Sequence, residues 1–439
     1  VGAGGEDVTD PIDFEAEKRR RGKKKRPPHN VPNTDWGLEL RCDQDGRVTP
    51  DVGNAAIILA NHDAWAGSLT YDDFSDRIYW SARVPEMPGL ERPLPGQEVA
   101  DHHATYVHHW FARHKGITLK KGTVQDAIVS AARMRTVHPL REYLAGLAWD
   151  GKKRLGMWLT AYLGTPMSRY SVAVGQWWMV SAIARVMRPG CQADHMLVLE
   201  GAQGLGKSSA LRILSGDWYL PSLPDIKNPA AGHMLQGNWI AEVGELDALR
   251  RQELTTVKDF VTRTVDKYRP PYGRFQISRP RQLVFAATTN EEAYLHDASG
   301  GRRFWPVVTH KLERAALVAD RDQLWAEARV LFEAGAQWWP SDEMQPEVME
   351  EQASRHASDD WEGKIAQWVA AGDRQGFTVG DVLAGALMLD AAKWSRAEQT
   401  RVGVCLRILG YPWRRARNFG RIEKRYYPIQ SQPCLPAVE

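Results

Sequence analysis

The strongest limit on how this chain can fold is the run from Met196 to Leu214, which reads as an apolar strand, a glycine-rich loop and a helix in direct succession. The loop Gly201-Ala-Gln-Gly-Leu-Gly-Lys207-Ser208 fits the P-loop pattern at every required position. Glycines at Gly201, Gly204 and Gly206 let successive backbone N–H groups converge on a phosphate, and the N-terminus of the following helix adds positive potential. In that frame Lys207 reaches the β- and γ-phosphates of a nucleotide, Ser208 is a Mg²⁺ ligand and Ser209 follows in the first helical turn. A P-loop placed this way predicts an α/β sheet with parallel strands, and alternating strand and helix patterns continue from Lys207 onward.

Two further strands carry polar residues where such a sheet needs them. Gly237–Leu246 is apolar and ends in acids, so Glu242 and Glu245 are the candidates for holding Mg²⁺ and polarising an attacking water. Glu245 stands where the strand leaves the sheet, which favours it for the catalytic role. Gln282–Asn290 finishes in Thr-Thr-Asn, and an amide there is placed to sense the γ-phosphate. Just beyond, Asp297–Pro306 places Arg302 and Arg303 together, neither charge balanced locally. One is expected to supply a transition-state charge and the other to be an ion-pair partner. Between the strands, Val265–Ile277 holds a Pro-Pro-Tyr-Gly turn flanked by Lys267, Arg269 and Arg274, with Tyr272 at its tip. Basic and aromatic side chains so paired suit single-stranded nucleic acid, although such a hairpin also suits packing on a neighbouring subunit.

The rest of the chain is read around this core. Residues 1–34 carry the basic run KRRRGKKKR at 18–26, equally a solvated tail or an arm for phosphates. Residues 35–100 read as a small folded segment followed by a Pro/Gly-rich linker or exposed loop at 84–97. A helical region follows at 101–188. Its five histidines between His102 and His114 lack an accompanying carboxylate or cysteine set, so ordinary helix positions are expected rather than a metal site. The ATPase core spans 189–340, a charged connector 341–360, and a small domain 361–439 whose pattern is three helices and a strand pair, a winged-helix-like order. Arg414, Arg415, Arg417, Arg421, Lys424 and Arg425 interleave there with aromatics, the composition expected of a DNA contact.

Composition narrows the alternatives. With 439 residues and a net charge of +3, the molecule is no polycation, so nucleic-acid binding must come from local patches. Four scattered cysteines without C-x-x-C spacing argue against a zinc or disulfide framework and point to a cytoplasmic protein. No apolar run is long enough for a bilayer, so no membrane partner is expected.

Taken in order, GAQGLGKS, WIAEVGEL, VDKYRPPYGR, FAATTN and GGRRFWPV resemble the virulence-associated E family of phages and mobile elements, which is similar to superfamily 3 helicases within the AAA+ ATPases. The upstream VHPLREYL and LAWDG also fit that family. The resemblance implies an ATP- and Mg²⁺-dependent motor acting as a homo-hexameric ring on single-stranded and forked DNA. A separate primase or replisome protein is a further implied partner. It implies that Lys267, Arg269, Tyr272 and Arg274 line the ring's channel, that Asn290 is the sensor, and that Arg302 or Arg303 acts on the neighbouring subunit's nucleotide. The chain departs from the family pattern in separating its two acids, with Gly244 before Glu245. Other readings are an ATP-switched DNA-binding initiator and a defence NTPase, neither of which unwinds processively.

Overall fold

The computed structural model describes residues 35–228, 230–246, 251–270, 275–291, 294–295, 301–355, 360–372, 376–418 and 421–427. The basic run at 18–26 lies outside them. Contacts divide the chain between Pro139 and Leu140 into two units. This boundary falls inside the segment expected to be one helical region.

In the first unit, strands β1 (Leu69–Asp72), β2 (Arg77–Trp80) and β3 (Thr136–Val137) form a small sheet in the order β2-β1-β3. β1 runs antiparallel to β2 and parallel to β3, so the chain between 80 and 136 must cross over, and two helices do this. The helix Val52–Asn61 begins at Asp51, whose carboxylate accepts the Asn54 N–H at 2.9 Å. Trp65, Trp80, Trp110 and Phe111 fill the core. His103 belongs to that core, its Nδ1 accepting from Trp80 Nε1 at 3.1 Å and from Ala100 N at 2.9 Å. The Pro/Gly-rich stretch at 84–97 is the exposed loop of the two expectations, with most of its residues exposed, and it is anchored to the first unit at a few points. Val84 and Met87 are buried, and Gly96 and Gln97 exchange backbone hydrogen bonds with Trp80. Proline and glycine exclude regular structure there, but they do not dictate exposure.

The second unit is built on a five-stranded sheet ordered β10-β4-β9-β6-β5, with β4 Met196–Glu200, β5 Tyr219–Leu220, β6 Ile240–Val243, β9 Val284–Thr289 and β10 Phe304–Val308. Every pairing is parallel. β4, β6 and β9 are buried along their whole length, as continuous Val/Leu/Ala runs covered on both faces require. The helix Arg169–Met187 packs against the sheet, with Trp178 Nε1 donating to Phe285 O at 2.9 Å. Trp325, on the helix Arg314–Glu333, donates to Leu214 O at 2.8 Å and so holds the end of the helix Lys207–Ser215. A separate antiparallel hairpin, β7 (Val265–Tyr268) with β8 (Ile277–Pro280), leads into β9.

The C-terminal part has helices Asp360–Ala370, Val379–Gly385 and Arg396–Ile408, then an antiparallel pair β11 (Trp413–Asn418) and β12 (Arg421–Tyr426). Ile365, Phe377, Val382, Leu406 and Tyr426 share its core. Thr378 and Asp381 close a capping box at the second helix. No helix among the described residues is long and apolar enough to cross a membrane.

Candidate active site

Strand β4 ends at Glu200, and the glycine loop begins with a turn that only glycine tolerates. Gly201 has φ 141°, and a Cβ there would stand 2.4 Å from Thr309 O. Gly206 has φ 90°, and a Cβ would stand 2.7 Å from Leu312 Cδ2. Gly204 also has positive φ, 84°, but nothing lies within 4 Å of its Cβ position, so the loop's middle faces open space. The helix Lys207–Ser215 starts at Gly206 with no side-chain cap, which leaves its first N–H groups for an anion. Lys207 is buried, its Nζ donating to Ala202 O and to Asn290 Oδ1, each at 3.0 Å. A contact between Lys207 and Asn290 joins the loop to the end of β9. Ser209 is half-buried in the same turn.

Glu242 lies within β6 rather than beyond it, and is buried. Three hydroxyls surround its carboxylate. Ser208 Oγ donates to Oε1 at 2.7 Å, Thr288 Oγ1 donates to the same oxygen at 2.8 Å, and Tyr219 OH donates to Oε2. Burial, together with the bond to Glu242, raises the Tyr219 pKa far above the ordinary phenol value, so it stays a donor. Glu245 follows the strand with φ 50° and is exposed. It shares with Ser208, Glu242, Lys227 and Thr288 the lining of a cavity of about 590 Å³. The donor set and the glycine cradle fit a nucleotide phosphate chain with a hard, oxygen-binding cation.

The structure thus brings Lys207, Ser208, Glu242 and Asn290 together at the carboxyl ends of three adjacent strands, where open α/β sheets bind ligands. Sequence reasoning missed Tyr219 and Thr288. Thr288 has a signal, since it belongs to the polar end of the Asn290 strand, whereas Tyr219 sits on a two-residue strand with none. Also missed was the support under the loop: buried Glu200 accepts from Tyr294 OH at 2.8 Å and from Arg355 Nε at 3.1 Å. Its backbone carbonyl accepts from Thr309 N at 2.7 Å.

Arg302 and Arg303 are elsewhere. They precede β10, whose Phe304 pairs with Met196 and whose Val308 pairs with Glu200. The arginines therefore lie at the amino end of the sheet, and five strand residues at about 3.3 Å each set them roughly 17 Å from the loop's end. Arg302 is exposed and Arg303 half-buried, and neither makes an ion pair among the described residues, so the expected ion-pair partner is not seen there. His195 stacks on Trp305 with centroids 4.3 Å apart, and burial, reinforced by the two arginines, pushes its pKa down to about 4.

The β7–β8 hairpin presents Lys267 and Arg269 to solvent, while Tyr272 and Arg274 lie outside the described residues. Its base is fixed by buried Asp266, whose Oδ2 accepts from Arg281 Nε at 2.9 Å. On β11, Arg414 and Arg415 are exposed, and Arg414 lies 4.3 Å from the Tyr427 ring centre. The strand positions of Arg417 and Arg421 are set, with their side chains outside the description.

Residues 144–357 match the virulence-associated protein E-like domain. No curated protein matches the sequence. Among solved structures, the apo A form of the NrS-1 C-terminal region superposes with a TM-score of 0.43 at 9% identity, covering 82% of this chain and 96% of that one. A second apo structure of the region gives 0.39 at 11% identity, with 82% and 95% covered.

Proposed function

We propose that this chain, which carries a virulence-associated protein E-like domain, is an AAA+-like ATPase that converts ATP hydrolysis into movement on DNA during replication of a phage or mobile element. The observation that carries this reading is the convergence of Lys207, Ser208, Glu242 and Asn290 at one end of the parallel sheet. Lys207 and the loop N–H groups hold the phosphates. Ser208 and Glu242 would hold Mg²⁺, which when bound supplies positive charge to the β- and γ-oxygens. Glu245 accepts the proton of the attacking water, and Asn290 orients that water, giving ADP and inorganic phosphate. Tyr219 and Thr288 fix the Glu242 carboxylate so that its geometry need not be assembled at each turnover.

The arginines support assembly. Lying about 17 Å from the loop of their own subunit by strand rise, Arg302 and Arg303 have no nucleotide to act on unless a neighbouring copy brings one. A closed ring, in the resemblance a hexamer, provides that at every interface. Lys267, Arg269, Tyr272 and Arg274 then face single-stranded DNA in the channel. The C-terminal domain is read as winged-helix-like and as a second DNA contact. Its strands set Arg415 opposite Lys424, like charges that a phosphate backbone relieves, while Arg425, opposite Arg414, is ion-paired with Glu423 at 3.4 Å. Such a protein works in the cytoplasm, alongside a primase or other replisome component.

The test is ATP turnover with and without single-stranded DNA, strand displacement on a fork, and oligomer mass. DNA-stimulated turnover with displacement by a ring is expected. Unstimulated turnover without displacement leaves an ATP-switched initiator or a defence NTPase, and no turnover overturns the enzyme reading.

A further inference from the structure

The first unit lies wholly outside the matched residues 144–357 and holds a cavity of its own, about 400 Å³. Ile58, Ile117, Trp36, Arg47 and Lys115 are among the residues that line it. That volume lies in the range of small-molecule sites, which pair an apolar lining with a few charged groups.

Lys115 is the informative residue. It ends the helical turn Phe111–Lys115, which Gly116 closes with φ 65°. The side chain is half-buried, yet it forms no ion pair or hydrogen bond among the described residues. Its ammonium lies 5.7 Å from the centre of the Trp110 ring. Burial lowers the pKa of the ammonium, and its charge adds to the burial that lowers that of His62. Asp43 also lines the cavity, but its Oδ1 already accepts the N–H groups of Asp45 at 3.0 Å and Arg47 at 2.8 Å, closing the turn that carries Arg47. A half-desolvated cation with no direct ion pair is unfavourable, and because Lys115 and Arg47 outnumber Asp43 around the cavity, an incoming anion is favoured there. The half-buried Trp36 ring, in edge contact with His62 at 6.4 Å, offers a planar surface at the same cavity.

We propose that this cavity binds one mononucleotide unit, its base against Trp36 and its phosphate on Lys115 and Arg47. A planar ring and an anion within one small site are the two features a nucleotide supplies together. The unit comes either from a free nucleotide or from the phosphorylated end of a strand. The proposal does not depend on the P-loop reading, and the test keeps them apart by using the full chain with Lys207→Ala.

Calorimetric titration of that protein with deoxyadenosine monophosphate, deoxyadenosine and a 5′-phosphorylated oligodeoxyadenylate reads the site directly. The monophosphate or the oligonucleotide should bind saturably, and the unphosphorylated nucleoside about tenfold or more weakly. Lys115→Gln and Arg47→Gln should each weaken binding, Lys115→Arg should retain it, and Trp36→Leu should weaken nucleoside-containing ligands without altering circular dichroism. A Lys115-dependent preference for the oligonucleotide assigns the site to a strand end, and equal binding assigns it to free nucleotide. Absence of saturable binding, or binding undiminished by Lys115→Gln, Arg47→Gln and Trp36→Leu, overturns the proposal.

Discussion

The two ends of the central sheet differ in how far they satisfy themselves. At the carboxyl end, Lys207 is hydrogen-bonded to Asn290, and Ser208 and Thr288 to Glu242. At the amino end, Arg302 and Arg303 carry charge with no ion-pair partner among the described residues, beside a histidine kept neutral by burial. Preorganised donors and acceptors cost little to use at the moment of reaction, so the first end is built to bind. Under the proposed function, such arginines have value only once a phosphate reaches them, and the second end would be completed by another molecule.

The largest break in this comparison should come from the arginines. Replacing both by alanine should lower turnover by about 10³-fold while leaving ATP affinity close to wild type, as equilibrium nucleotide binding would record. Glu242→Gln acts at the other end and should cost roughly 10²-fold in turnover, with weakened Mg²⁺ dependence in the same assay. Tyr219→Phe removes one of the hydroxyls around Glu242 and should cost about tenfold, since Ser208 and Thr288 remain.

Stability sharpens the contrast further. Asp266→Asn leaves the buried Arg281 guanidinium without its counter-charge under the β7–β8 hairpin, and should cost about 3–5 kcal/mol in urea unfolding. The smallest effect is a pH dependence at the amino end. Folded His195 takes a proton only near pH 4, whereas in the unfolded chain it does so near its ordinary value of 6.5. The unfolded state therefore binds more protons as pH falls between these values, and stability present above 6.5 is lost toward 4. His195→Gln should flatten that part of the urea-midpoint profile, and Arg302→Ala/Arg303→Ala should narrow it by raising its lower limit, the upper limit near 6.5 staying fixed.

How much of this was legible in the sequence depends on the range of each interaction. The strand, loop and helix around Lys207 are local, with glycine spacing that has few other uses, and the sheet followed from them. Glu242 and Glu245 were both visible, but only packing shows that the first lies inside the strand against Ser208 while the second leaves it. Glu200, Tyr294 and Arg355 meet across separations in sequence that no periodicity marks. The Pro/Gly stretch at 84–97 was legible as an exposed loop, but local backbone preference says nothing about the burial of Val84 and Met87 within it. The boundary near Pro139 was hidden for a related reason. Helices look alike in sequence whether they cover a three-stranded sheet or a five-stranded one.

The central claim is that the two ends of one sheet serve different nucleotides, and a mixing experiment tests it most directly. Lys207→Ala protein and Arg302→Ala/Arg303→Ala protein are assayed for ATP turnover separately and after mixing, with oligomer mass recorded. Each alone should be inactive, and the mixture should regain turnover, because intact loops then meet intact arginines across interfaces. Mixed oligomers that form but stay inactive would contradict the account.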